Sequence, residues 1–512
     1  MSSPIKLIGL DFGSTTSSAV AAVTTLQRNP LSARIEVAEV STRWHSPLVF
    51  TPFEPASRAA AASPGSSADA LFASARSPEN LRLALPQLEA LLDHWLEQVA
   101  TLPGTLFGGG ALVTGLAARA PNASALTDLV RARLGEALIA PVGDPCLESW
   151  MAFMGSVAPL SRAMPEHFFL HLDIGGGTTN LALGCAGDVL HTGCLYVGAR
   201  HLRFEPGTYR LRGCSEYGEA LLRHLALDPR DGETLSNSDV TRILDFYLAL
   251  LRAACGEQPD LWQQPVAALH QQVALHLPAE FPPALFTFSG GVGELMAARL
   301  RGEPSLGITP FGDLGAALAE RLLADPFFSS RMWGRSSLSH PLDEPSSLRL
   351  APDAPQRATV WGLLQHATHV SGATLYVSPQ LRLPLRDLPI LGSLDEHSSA
   401  ALLDGLFRRV ASSEVGGCLQ LRLDRLSPAR LSVFAGRLRQ SLMRVGYPAD
   451  RPLVLLTRAN LGKVLGGSIT RWGQEPWTLM VLDELEPPSA QFLQVGRPHG
   501  AVVPVSFYGM TL

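Results

Sequence analysis

Apolar positions change period as the chain is followed from its start. Lys6–Asp11 is a short apolar run, and Ser17–Leu26 and Arg34–Thr42 alternate in part, which predicts three strands. The spacing then lengthens. Leu88, Leu91, Leu92, Trp95, Leu96 and Val99 recur at helical intervals, as do Leu126, Leu129, Val130 and Leu134. Each set forms a stripe that a helix buries. A second strand block opens at His167–Asp173, runs through Asn180–Leu195 and resumes at Leu285–Ser289. Within it, Ser238 reads as the N-cap of a helix carrying Val240, Ile243, Leu244, Tyr247, Leu248 and Leu251, with Gly256 past its end. Asp313–Leu323 reads as a further helix. The last third mixes strands (Leu453–Thr457, Thr478–Leu482, Ala501–Phe507) with helices (Ser399–Ala411, Ala429–Val445). Two stretches carry little pattern: Glu54–Glu79, rich in Ala, Ser and Pro, predicts a surface excursion, and Ser329–Pro355 a linker.

Composition narrows the class without choosing a chemistry. With 512 residues, 46% apolar and 17% charged, the chain can bury large cores and needs no covalent staples. A net charge of -5 offers no basic excess for nucleic acid. The six cysteines are scattered and form no C-x-x-C pair, so reduced thiols are expected rather than a disulfide or zinc framework. No basic and apolar leader precedes the first strand, and no uninterrupted apolar run approaches the ~18 residues that cross a bilayer. A cytoplasmic protein without a membrane partner is the expectation.

One motif occurs twice. Asp11-Phe12-Gly13-Ser14-Thr15-Thr16 and Asp173-Ile174-Gly175-Gly176-Gly177-Thr178-Thr179 each follow an apolar strand and precede another. Glycines allow a tight turn and a close backbone approach, and successive N–H and hydroxyl groups donate to phosphate oxygens. An aspartate at the strand end repels phosphate but can hold Mg²⁺, through water, because that ion dehydrates reluctantly. Two such hairpins facing one another would grip a polyphosphate. Either alone is also what an ordinary hairpin looks like. A third element lies downstream: Phe288-Ser289-Gly290-Gly291-Val292-Gly293-Glu294 runs from a strand through a glycine-rich turn into a helix. Such a turn can meet a flat ring, or simply pack a helix start against a sheet. Between the copies, Asp144 is placed to cap a helix, Pro145 to open it, and Glu148 to stand in its first turn, with Gly155 further along. A glutamate there also gains about 0.3–1 kcal/mol from the helix dipole alone.

In order and spacing these elements resemble the actin/Hsp70/sugar-kinase superfamily. The resemblance implies an α/β fold: two duplicated actin-like (ribonuclease H-like) ATPase domains, here 1–145 and 146–328, closing over ATP (or ADP) and Mg²⁺. A linker at 329–355 and an additional α+β C-terminal domain at 356–512 would follow. It also implies roles. Asp11, Gly13, Ser14, Thr15 and Thr16 match the first phosphate motif, and Asp173, Gly175, Gly176, Gly177, Thr178 and Thr179 the second. Gly290, Gly291, Val292, Gly293 and Glu294 match the adenosine motif. Asp11 and Asp173 would hold Mg²⁺ through water, and Glu148 would orient the attacking water. Phe311–Ala317 resembles the second helix that connects the two halves.

Further segments are similar, in order, to those of the ethanolamine ammonia-lyase reactivating factors, the EutA family: Trp44–Pro52, Pro145–Ser149, Arg357–Gly362, Leu383–Ile390, Leu461–Gly466, Leu482–Leu485, Val495–Pro498 and Val502–Val505. Two departures are visible. Leu363-Leu364-Gln365 follow Gly362 where the family has small residues, and the excursion near 54–79 is expanded. The resemblance implies an ATP-dependent chaperone-like factor that releases damaged cobalamin from ethanolamine ammonia-lyase so that adenosylcobalamin can enter, with weak ATPase activity. It leaves open self-association and association with a microcompartment. A small-molecule kinase of the same fold would need an acceptor site and a base, which no motif supplies. A nucleotide-binding filament or scaffold is the other alternative. Gly462-Lys463 is not a P-loop, because Thr457 and Val464 stand where that motif needs Gly and Ser/Thr.

Overall fold

The first two sheets of the computed structural model are built on the same hairpin. The structure describes residues 3–13, 16–30, 34–38, 40–47, 49–55, 81–134, 145–229, 232–277, 283–333, 359–360, 362–363, 368–423, 426–485 and 490–510. Strands β1 (Ile5–Phe12), β2 (Thr16–Thr24), β3 (Ser41–His45), β4 (Val49–Phe50) and β5 (Thr105–Val113) form one five-stranded sheet, in the order β3-β2-β1-β5 with β4 also on β2. Strands β6 (Phe168–Ile174), β7 (Thr179–Cys185), β8 (Asp188–Leu195), β9 (Gln271–Val273) and β10 (Leu285–Ser289) form the second, in the order β9-β8-β7-β6-β10. In each, an antiparallel hairpin (β1–β2, β6–β7) gains a parallel strand on its outer side (β5, β10). The registers coincide: Asp11 faces Ser18, and Asp173 faces Asn180. The turns coincide too, with Gly13 N–H donating to the Thr16 carbonyl at 3.0 Å and Gly175 N–H to that of Thr178 at 2.9 Å.

Helices then bury the apolar stripes. On the first sheet, α1 (Leu85–Ala100) and α3 (Ala123–Leu134) bring Leu88, Leu92, Trp95, Leu126 and Val130 onto Ile8, Leu10 and Phe12, with α2 (Gly115–Arg119) between them. Each such side chain contributes about 1.5–3 kcal/mol by leaving water. Helix α4 (Pro145–Ser156) lies against both sheets: Leu147 and Met151 meet Leu112, while Phe153 and Met154 meet Phe169 and Ala182. On the far face of the second sheet, α5 (Asn237–Ala254), α6 (Gly290–Leu300) and α7 (Gly315–Ala324) complete the core. Two local expectations change. The predicted strand Arg34–Thr42 is broken: Ile35–Val37 folds back on Leu26–Arg28, and only Ser41 onward joins the sheet. The cap of α5 is Ser236 rather than Ser238, because Asp239 three residues on completes a reciprocal capping box with it.

The C-terminal residues build a mixed eight-stranded sheet from β11 (His369–Val370), β12 (Tyr376–Val377), β13 (Leu385–Leu394), β14 (Gly417–Leu421), β15 (Leu453–Thr457), β16 (Leu479–Leu482), β17 (Ala490–Val495) and β18 (Pro504–Met510). Strands β13 to β16 are parallel and adjacent, joined by α8 (Ala400–Ser412), α9 (Pro428–Val445) and α10 (Gly462–Thr470). Alternation splits this sheet's two faces. Leu453, Leu455 and Val481 pack under the helices, and Val454, Leu456 and Met480 pack against Leu493, Val495 and Val505 of the antiparallel strands. The short segment that leads into this sheet serves the first one. Val360 joins Ile5, Leu7, Val20 and Phe107, Leu363 joins Leu112 and Met151, and Thr368 Oγ1 accepts from Gly109 N–H at 2.8 Å. Gly362 keeps the close backbone approach despite the leucines after it: a Cβ there would stand 1.9 Å from the Met151 carbonyl oxygen.

Candidate functional site

Asp11 near the end of β1, Asp173 near the end of β6 and Glu148 in the first turn of α4 lie close enough for their charges to interact. The electrostatics record the convergence. Burial and then Asp173 raise the Asp11 carboxyl to about 7. Burial, then Asp11 and Asp173, push Glu148 well above the usual carboxylate range. Burial also raises Asp173, against the pull of Ser289 and Thr359. Glu148 is hydrogen-bonded from both lobes, by Thr114 at the start of α2 and by Asn180 on β7. Pro145 opens the helix as predicted and places Glu148 in its first turn, while Asp144 lies outside the described residues.

The hairpins differ in what the structure shows of them. Of the first, Gly13 and Thr16 are described, and Ser14 and Thr15 are not. A Cβ at Gly13 would come within 3.1 Å of the Thr16 carbonyl oxygen. Thr51 anchors this turn, donating to the Gly13 carbonyl at 2.8 Å and pairing with Ser17 at 2.9 Å. In the second, the carbonyls of Gly175 and Gly176 accept from Ala199 and Arg200 at 3.0 and 2.7 Å. Gly177 and Thr178 are half-buried at the turn. Thr179 differs from the expectation: it is fully buried, and its hydroxyl donates to the Val197 carbonyl at 2.7 Å.

The glycine-rich turn after β10 closes the same cleft. Gly290 has φ +75°, and a Cβ there would meet Ile174 O at 2.5 Å and Asp173 Oδ1 at 2.9 Å, so no larger residue fits. Gly291 opens onto free space. Gly293 packs on the Phe288 backbone, and Val292 points into the core rather than the cleft. Glu294 pairs with Arg301 at 3.0 Å. A cavity of about 310 Å³, lined in part by Arg34, His369 and Glu484, lies against the C-terminal sheet and shares no residue with this cleft.

Sequence reasoning missed several participants. Thr359 places its hydroxyl 3.3 Å from Asp173 Oδ2, Ser289 donates to Asp173 Oδ1 at 2.5 Å, and Thr114 and Asn180 hold Glu148. Asn180 and Ser289 stood at the edges of the quoted motifs, whereas no local signal marks Thr114 or Thr359. Across the cleft, Arg119 of the first lobe pairs with Glu216 at 2.6 Å, donates to Tyr217 Oη at 3.0 Å and lies over the stacked rings of Tyr196 and Tyr217. On the other side Arg200 lies over the Phe50 ring at 5.2 Å.

These residues suit a hard divalent cation. Three carboxylates crowd one cleft, and Asp11 Oδ1 and Asn180 Oδ1 are buried without a partner. Among the described residues, no three acidic, histidine or cysteine side chains converge closely enough to ligate an ion directly.

A family model described as ethanolamine utilisation protein EutA matches residues 79–511. Over 509 residues the chain is 26% identical to the ethanolamine ammonia-lyase reactivase EutA of Salmonella typhimurium, covering 98% of this chain and 97% of that one. Over 505 residues it is 26% identical to the protein of the same name from Escherichia coli K12, with coverage of 98% and 97%. Among solved structures, an Aquifex aeolicus Ppx/GppA phosphatase overlaps at 15% identity, covering 57% of this chain and 70% of that one, with a TM-score of 0.30. So loose an overlap carries no weight here. Among the described residues, no helix is long and apolar enough to cross a membrane.

Proposed function

The chain belongs to the family of ethanolamine utilisation protein EutA, and from that premise we propose that it reactivates ethanolamine ammonia-lyase at the expense of ATP. The observation that carries the nucleotide half of this reading is the meeting of Asp11, Glu148 and Asp173 in one cleft between duplicated hairpins. The turns at Gly13–Thr16 and Gly175–Thr178 would cradle the phosphates, and the turn at Gly290–Gly293 would receive the adenosine. Asp11 and Asp173 would hold Mg²⁺ through water. Bound there, the ion would screen the phosphate charge and offset the repulsion among the carboxylates.

Glu148 is suited to orient the water that attacks the terminal phosphate. Its raised proton affinity favours accepting a proton, and Thr114 and Asn180 fix its direction from opposite lobes. Because those partners belong to different lobes, Glu148 is correctly aimed only when the cleft is closed. Arg119 ties the same two lobes together at the rim. Nucleotide occupancy thus biases an open–closed equilibrium. We assign to that equilibrium a differential affinity for the lyase, whose damaged cobalamin leaves and whose adenosylcobalamin enters while the factor is bound. We place this exchange in the cytoplasm.

The test is recovery of lyase inactivated with cyanocobalamin, given free adenosylcobalamin, Mg²⁺ and this protein, with and without ATP. ATP-dependent recovery that disappears in Asp11→Ala and Asp173→Ala supports the assignment. Recovery at one rate in every arm sinks it.

A further inference from the structure

A file of four side chains ends on Asp173, and the nucleotide reading does not account for it. On the parallel strands β6 and β10, His171 stands opposite Thr287 and Asp173 opposite Ser289. Positions two apart share a face, so the four form two adjacent rungs on one side of the sheet. Thr287 Oγ1 is 2.9 Å from His171 Nδ1, His171 Nε2 is 2.8 Å from Ser289 Oγ, and Ser289 Oγ is 2.5 Å from Asp173 Oδ1. His171 is 1% exposed and meets Phe153 edge-on.

The direction of every bond follows from the last one. An ionised carboxylate only accepts, so Ser289 donates to Asp173. Its one proton spent, Ser289 accepts from His171, which places the ring proton on Nε2. Nδ1 is then a bare acceptor, and Thr287 donates to it. Ser156 Oγ, 3.3 Å from Nε2, donates its own proton to the Ala152 carbonyl and so competes for none of this. Most buried histidines are satisfied pieces of core. This one is joined at both nitrogens into a chain whose far end faces the cleft.

We propose that His171 is a positioning residue for Asp173, acting through Ser289. The tautomer of His171 keeps Ser289 turned towards Oδ1. That bond fixes the carboxylate plane, leaving Oδ2, beside Thr359, as the oxygen presented to the water shell of Mg²⁺. The inference rests on the reading of Asp173 as a magnesium carboxylate, and its test separates the two.

The first arm needs no nucleotide. Nitrogen-15 NMR of the full chain, labelled at histidine and assigned against His171→Gln, should show protonated Nε2 and bare Nδ1 at neutral pH. Protonated Nδ1 overturns the proposal. The second arm titrates ATP by calorimetry in Mg²⁺ and in EDTA. His171→Leu and Ser289→Ala should each weaken binding about tenfold in Mg²⁺ and less than about twofold in EDTA, as loss of one charge-assisted hydrogen bond predicts. The double variant should be no worse than either single one, because links in series do not add. His171→Gln, which keeps a donor near the Nε2 position, should bind nearly as the parent does. Equal losses in both buffers, or additive losses, overturn the proposal. Ser289→Ala removes one atom and keeps the test readable should His171→Leu not fold. A parent chain that binds no ATP brings down the nucleotide reading instead, and the tautomer alone then decides the relay.

Discussion

Thr359 and Asp173 are 186 positions apart in sequence, and 3.3 Å separates their side-chain oxygens. The threonine belongs to the segment that enters the C-terminal sheet, so that part of the chain touches the nucleotide cleft itself. Thr359→Val keeps the shape and removes the hydroxyl. Losing one long hydrogen bond to a carboxylate costs about 1 kcal/mol. Affinity for ATP in Mg²⁺ should fall about fivefold, as measured by calorimetry, and an unchanged affinity would show the contact to be idle.

Asp11→Asn should act in opposite directions on the empty and the loaded protein. It removes one of three mutually repelling carboxylates, one already pushed up to about 7 by burial and by Asp173. The nucleotide-free chain should gain about 1–3 kcal/mol in urea melts. The further stabilisation that Mg²⁺ and ATP give the parent should vanish.

Glu148→Gln preserves size and one acceptor oxygen facing Thr114 and Asn180 but cannot take a proton. Phosphate release should drop by about 10²–10⁴-fold, with nucleotide affinity nearly intact. If turnover survives, another group orients the water.

Arg119→Ala removes the cation that spans the lobes at Glu216, Tyr196 and Tyr217. Its pairs are partly exposed, so the loss is about 1 kcal/mol. Stopped-flow release of a fluorescent ADP should quicken about fivefold. Release at the parental rate would mean that the cleft is held shut elsewhere.

Acid should weaken this fold through its histidines. Burial depresses His201 to about 3 and His369 to about 4, from the ordinary 6.5. The unfolded chain therefore binds protons that the folded one refuses. The associated stability is complete above pH 6.5 and is lost as pH falls towards those values. At pH 5 each of the two costs about 2 kcal/mol. Urea melts at pH 7.5 and 5.0 should show the loss, and His201→Asn, which can still reach Ser215, should reduce it. Equal midpoints in the parent at both pH values would contradict it.

Much of the cleft was legible because its chemistry is local. The two aspartates, their glycines and the turn after β10 lie in contiguous runs of sequence, and the helix that carries Glu148 announces itself by Pro145. What escaped was either geometric or distant. The hydroxyl of Thr179 had looked like a phosphate donor, but alternation sends it to Val197. Val292, inside a glycine-rich motif, belongs to the core. Thr114 and Thr359 carry no signature at all, since a threonine at a helix start or after a linker is commonplace. The parallel run β13 to β16 was read only as mixed elements, because strands of five residues or fewer, such as β14 and β15, do not reveal their partners.

The covering of the first sheet has a consequence for how the protein is made. Ile5, Leu7, Val20 and Phe107 are synthesised well before Val360, which seals one face of their sheet, and Leu112 well before Leu363 and Tyr508, which share its cluster. Translation must pass Val360, Leu363 and Tyr508 before that face is dry. The β13–α8–β14–α9–β15–α10–β16 run, by contrast, pairs strands that are neighbours in sequence, so each of its pairings closes over a shorter stretch of chain than the cover of the first sheet does. The first sheet therefore waits for a cover made much later, and a nascent chain cut short before residue 359 carries an exposed apolar sheet for chaperones to hold.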